Sequence, residues 1–234
     1  TRRSSDLAIR PQIIKNHASG NFQAMHIQII KSGKFGFFIM LLILLPLCGN
    51  IDYVLGLWLV DVPAHTANFV VLVLLYSLLD GILTPIAIGV FAQGEIKAYE
   101  IALCIIYAVN FIASYVCLKL GMAPETVFVL NIAFKACVLA DLLVHSKAKY
   151  AFPVHAFLKQ CLLPSAVVFV LSGAFTYFMP WEAPNSFWEF LLHTLAIIIC
   201  TSLMALAIGM TKGERLFLKK NLRDKITVKL YRKI

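Results

Sequence analysis

The sequence predicts an all-α polytopic membrane protein with about six transmembrane helices and a basic amphipathic C-terminal helix. Three observations carry that prediction. The chain of 234 residues is 60% hydrophobic and only 14% charged, whereas a soluble domain is nearer 45–50% apolar and about 25% charged. Its mean hydropathy is +0.83. The apolar residues fall in runs of the length that crosses a bilayer, which takes about 20 helical residues, and breakers punctuate the runs. In hydrocarbon every backbone N–H and C=O must be satisfied within the segment or by a closed barrel. No barrel-like alternation is visible, so the runs are helices.

The elements follow in order. Residues 1–34 are polar and basic (Arg2, Arg3, Arg10, Lys15, Lys31, Lys34) and read as a cytoplasmic connector, partly helical and broken near Ser19-Gly20-Asn21. Span A is Phe35 to Cys48, helped by Gly49 to Leu59, with Pro46 as a candidate kink. Span B is Thr66 to Phe91, span C Tyr99 to Leu118 and span D Thr126 to His145. Residues 35–145 thus hold four spans. Two more, span E (Ala156 to Met179) and span F (Ser186 to Met210), occupy residues 146–210. Pro63, Gly94, Gly121 to Pro124, Pro153 and Pro180 to Pro184 separate them. Residues 211–234 form the tail. It places Leu218, Leu222, Ile226 and Leu230 on one helical face among basic residues. That pattern predicts a helix lying on the anionic leaflet, with Lys219, Arg223 and Lys229 meeting lipid headgroups.

A net charge of +9 would raise nucleic acid as a partner of a soluble protein. Here the charge is explained by topology, and no nucleic-acid partner is expected. Of 21 Lys and Arg residues, all but Lys119 and Lys135 fall in segments that alternate to one side of the bilayer. The excess of Lys and Arg on cytoplasmic loops then places both termini in the cytoplasm, with six spans satisfying the parity. Trp58, Trp181 and Trp188 fall near the opposite interface, as an aromatic belt does. Six Cys residues lie in apolar runs without a CxxC pair, which argues for small buried side chains rather than a metal or redox site. No metal and no cofactor is expected, and no Walker A, HExxH or Ser/His/Asp arrangement is present.

The polar residues inside the spans are the functional candidates. Lys135 sits mid-way along span D, about ten positions from either end, with Asn131 one turn away. A lysine at that depth faces protein, water or a ligand anion. It receives phosphate or an acidic sugar, or it pairs with Asp80 of span B; the two roles coexist if substrate exchanges with Asp80. Tyr76, Asp80 and Thr84 form one stripe on span B, and Tyr107, Asn110 and Ser114 another on span C. Such stripes suit a hydrated cavity for a hydroxyl-rich substrate, or ordinary interhelical hydrogen bonding worth about 0.6 kcal/mol per contact. Asp141 with His145, and Glu189 with His193, are i, i+4 pairs near span ends. Pairing explains them better than catalysis, and two ligands do not make a metal site.

The stretch from Leu57 to Ile101 carries a further signal. Leu57-Trp58-Leu59, then Val62-Pro63, a long span with Asp80 and Pro85, and finally Ala92, Gly94, Ile96, Lys97, Tyr99 and Ile101 together resemble the Wzx-type oligosaccharide flippases. These belong to the multidrug/oligosaccharidyl-lipid/polysaccharide exporter superfamily. Pro11, Ile13, Lys15 and Gly20 resemble the family's connector, and Glu214-Arg215 before a basic helix its C-terminal end. The similarity covers most of residues 8–160 and the start of the tail. Glu95 departs from the family pattern, and Lys135 is not carried over from it.

The resemblance implies two six-helix bundles around a cavity that opens alternately to each side, moving an undecaprenyl-diphosphate-linked oligosaccharide outward. Spans A to D would be the last four helices of the second bundle, and E and F an extra terminal pair. The chain would be the C-terminal part of a longer transporter of the bacterial inner membrane, serving surface polysaccharide or lipopolysaccharide biosynthesis. Its partners would be the lipid-linked oligosaccharide, anionic membrane lipid and the absent N-terminal bundle. The expected protein is not an enzyme. The competing readings are a membrane ligase, polymerase or acyltransferase, disfavoured by short outward loops with little charge, and a drug or cation antiporter of the same superfamily.

Overall fold

The computed structural model describes residues 9–94, 96–178, 184, 186–211 and 213–216. The protein is an all-α polytopic membrane protein, with no strand among the described residues. Six helices are long and apolar enough to cross a bilayer. A short helix α1 (Ile9–Ala18) comes first, followed by α2 (Phe22–Gly49) and the short α3 (Ile51–Trp58). Next come α4 (Thr66–Phe91), α5 (Lys97–Lys119) and α6 (Thr126–Tyr150). The last two are α7 (Val154–Phe178) and α8 (Phe187–Gly209). The tail with Lys219, Arg223 and Lys229, together with Trp181, lies outside the described residues.

Local chemistry sets the boundaries. Gly20 and Gly121 adopt φ of 70° and 77°, the left-handed conformation that ends a helix at low cost. The Gly121 N–H returns to the Leu118 carbonyl and the Met122 N–H to Cys117, satisfying two terminal carbonyls. Asn21 caps α2 by accepting from the Ala24 N–H at 3.1 Å. Ser186 caps α8 by accepting from the Glu189 N–H at 3.3 Å. Pro164 removes one N–H from α7. The turn before it, Leu158–Leu162, widens to π geometry, which relieves the clash of a proline ring with the preceding turn. A second π turn, Ala205–Gly209, closes α8.

α2 differs from the expected span A. It runs unbroken from Phe22 through Pro46 to Gly49, and the chain bends at Asn50 instead. The Asn50 amide donates to the Pro46 carbonyl at 3.0 Å. Lys34 therefore lies twelve residues inside a 28-residue helix, not at the edge of a cytoplasmic connector.

α2 is the axis of the bundle. Its most extensive contact is with α4. There Gly36 meets Gly81 so closely that a Cβ on Gly36 would sit 3.0 Å from the Gly81 carbonyl oxygen. Small residues at such a crossing let two backbones approach, as packing within a membrane favours. α6 packs against both α4 and α5, while α7 and α8 pack on α2 and on each other. The core runs along α2 and α4 through Ile29, Phe37, Leu41, Ile82 and Ile86, with Leu142 and Val168 joining it.

Candidate functional site

The helix order brings most of the predicted polar residues together. Asp80 and Tyr76 are one turn apart on α4, Lys135 and Asn131 one turn apart on α6, and α6 lies against both α4 and α5. Lys135 Nζ donates to Asp80 Oδ1 and lies 4.0 Å from the centroid of the Tyr76 ring. A cation over an aromatic face gains about 0.5–2 kcal/mol, more as it is desolvated. Tyr107 of α5 adjoins Tyr76. One turn along, Asn110 Nδ2 donates to Asn131 Oδ1 at 2.5 Å, joining α5 to α6. Ser114 is buried. Thr84 shares the helical stripe of Tyr76 and Asp80 but is exposed, and no described contact ties it to the cluster.

The two members of the ion pair differ in access. The Lys135 side chain is 7% exposed and that of Asp80 44%. Lys135 also lines a small cavity of about 130 Å³ with Leu79, Ile82, Leu83 and Ile132, so its stem is held in apolar surroundings while its charge is offered to Asp80. An anion approaching the open face meets a carboxylate first. It reaches the ammonium only by displacing Asp80 or after Asp80 is neutralised. A cation or a proton reaches Asp80 directly.

Two polar clusters carry no obvious sequence signal. Lys34 Nζ, 1% exposed, donates to Glu214 Oε2 at 2.6 Å, and Glu214 is itself only 9% exposed. The Thr211 N–H donates to the same oxygen at 2.8 Å. Burial alone would push the Glu214 carboxyl up. The Lys34 ammonium and the Thr211 donors outweigh it and hold the group below its ordinary value. The partners are 180 residues apart, beyond any spacing rule. At the other end of the bundle, Glu125 Oε1 faces His65 Nδ1 at 2.5 Å and accepts from Asn68 Nδ2 at 3.0 Å. The Asn68 amide, then the backbone N–H of Glu125 itself and His65, lower its carboxyl to about 2. This clasp joins the loop before α4 to the loop before α6. Asp141 and His145 do form the i, i+4 pair that their spacing suggests, at 3.1 Å.

Among the described residues, no group of three or more His, Cys, Asp or Glu side chains converges as a metal site would require. Comparison with family models, with curated proteins and with solved structures yields no match.

Proposed function

We propose that this multi-pass membrane protein is the C-terminal part of a transporter that flips a lipid-linked oligosaccharide by alternating access. The observation that carries the reading is the Lys135–Asp80 pair, deep within the spans, with one member half open on a face shared by α4, α5 and α6. A carboxylate at that depth is costly against lipid, so the face suits a water-filled path or a covering polypeptide. Tyr76, Tyr107, Asn110 and Asn131 supply hydroxyl and amide groups beside the charge, the chemistry that accompanies a sugar and a phosphate. The absent N-terminal bundle is the covering body in this reading, and the resemblance over Leu57–Ile101 supports it.

In the proposed mechanism the substrate diphosphate takes Lys135 from Asp80 on entry and returns it on release. The charge asymmetry between loops supports an inner-membrane orientation with both termini in the cytoplasm.

The test uses the full transporter and reads surface polysaccharide alongside membrane protein level. Lys135→Arg should retain partial transport, because the charge survives while its geometry changes. Lys135→Leu should abolish transport at near-normal protein level. Full transport by the Lys135→Leu/Asp80→Leu double variant would rule out a substrate role and leave a structural pair.

A further inference from the structure

α7 and α8 are fastened to α2 along its length. Cys161 Sγ of α7 lies 3.5 Å from where a Cβ on Gly33 would stand, and Gly209 of α8 fits against the Phe38 ring. At the other end of α2, Thr176 and Ile197 lie against Gly49, and Tyr53 of α3 stacks on Phe190 of α8 with ring centroids 5.2 Å apart. α7 is thus held in place, yet it makes little contact with α4 or α6. The space left between them is an apolar cleft of about 340 Å³. Its walls are anchored elsewhere, so it cannot close by collapse, and walls facing an empty gap forfeit their dispersion contacts.

Leu75 and Ile82 of α4 mark one wall, and Leu162 and Phe169 of α7 another. The cleft therefore runs for about two turns, roughly 10 Å, parallel to the helices. Ile132 of α6 closes a third side. Phe37 of α2 forms the floor, where its ring meets Phe169 edge-on. The small cavity beside the Lys135 stem shares Ile82, Ile132 and Leu162 with the cleft and extends the same space. Among the described residues of the cleft lining, Ser165 alone is polar. It is 1% exposed, and its hydroxyl has no hydrogen-bond partner. One hydroxyl does not hold water, which needs about two to four polar partners. An apolar cavity of about 150 Å³ stays dry and takes up benzene instead, and this cleft is larger, within the range of about 300–1,000 Å³ that ligand pockets occupy.

The position of the cleft selects its occupant. Leu75 to Ile82 is the middle of α4, so the cleft lies at the depth of the hydrocarbon core. Ala166 on its rim is exposed, and Leu75, Ile132 and Phe169 are half-buried, so the space opens to the outside of the bundle. It opens on the side of α4 turned away from Asp80. Tyr76, Asp80 and Thr84 follow one stripe of that helix, whereas Leu75, Leu78 and Ile82 follow the opposite one. A polypeptide covering Asp80 therefore leaves the cleft facing lipid.

We propose that the cleft is a binding site for one hydrocarbon chain of a bilayer phospholipid, which fills the gap and bridges α7 to α4 and α6. The inference rests on packing and does not depend on which substrate the protein carries.

Photo-crosslinking of the full chain in lipid nanodiscs tests it. The probe is a phosphatidylethanolamine with a diazirine near the end of one acyl chain, and mass spectrometry of peptides locates the adducts. The expected adducts fall on Leu75, Ile132 and Phe169 inside the cleft as well as on the exposed Val170 and Leu171. Ser165→Leu and Ala166→Phe each fill the space, and neither removes a side-chain hydrogen bond. In either variant the inner adducts should be lost while those on Val170 and Leu171 persist. Adducts confined to Val170, Leu171 and other outward residues of the parent chain would overturn the proposal, whether or not the variants fold. Inner adducts that survive in both variants would also overturn it. So would their loss from the parent chain on adding an isoprenyl diphosphate lipid, which would assign the cleft to that lipid rather than to the bilayer.

Discussion

The two lysine–carboxylate pairs each place a lysine well inside a long helix, yet their surroundings differ. Lys34 and Glu214 are both sealed, at 1% and 9% exposure, and the carboxylate takes a further bond from the Thr211 N–H. Lys135 is sealed, but Asp80 is 44% exposed and shares its surroundings with two tyrosines and two asparagines. A pair closed on both sides can only hold elements together. A pair with one open member can exchange partners. The difference separates a structural tie from a candidate transport site more sharply than residue identity does.

The largest effect should come from breaking the sealed pair on one side. Lys34→Met leaves Glu214 as an uncompensated buried charge and should destabilise the folded chain by about 3–5 kcal/mol. Thermal unfolding in detergent reads this loss. Lys34→Met/Glu214→Leu should recover most of it, since a well-packed apolar pair often replaces a buried ion pair at little cost.

Lys135→Leu should cost clearly less stability than Lys34→Met in the same assay, because the remaining Asp80 carboxylate stays half solvated. Equal losses would erase the distinction between the two pairs. Accessibility sharpens it further: Asp80→Cys should react with a water-soluble thiol reagent, and Lys34→Cys should not. Comparable labelling of both would mean that the inner pair is open too.

The smallest effects concern pH. The carboxyl of Glu214 is held below its ordinary value of 4.5. Its contribution is therefore fully present above that pH and is lost as pH falls through the depressed folded value. The same sign applies to Glu125, lowered to about 2. Its clasp to His65 and Asn68 should persist through ordinary carboxylate titration and open only near pH 2. Carboxyl carbon NMR of glutamate-labelled protein, with Glu125→Gln to assign the signal, checks that midpoint. A midpoint near 4.5 would show that Asn68 and His65 do not hold the group.

Helices are legible because they are local. The runs at Thr66–Phe91 and Thr126–His145, and the glycine stops at Gly20 and Gly121, follow from composition over one window and from the backbone freedom of single residues. The sequence alone therefore established a six-span membrane protein, and it singled out Lys135 and Asp80, because an ionisable side chain within an apolar run is conspicuous wherever the fold puts it. It misread Lys34, which stands where a polar segment meets an apolar one. Sequence position cannot tell a solvated lysine at a boundary from one deep inside a helix that began twelve residues earlier. Only the tertiary structure decided that Lys34 meets Glu214 across 180 residues, that Asp80 rather than Lys135 is the open member of its pair, and that Thr84 lies apart from the cluster its spacing suggested. Each depends on which helix packs against which face, and that is set by close approaches such as Gly36 on Gly81, a sum of contacts between distant segments that no single stretch of sequence contains.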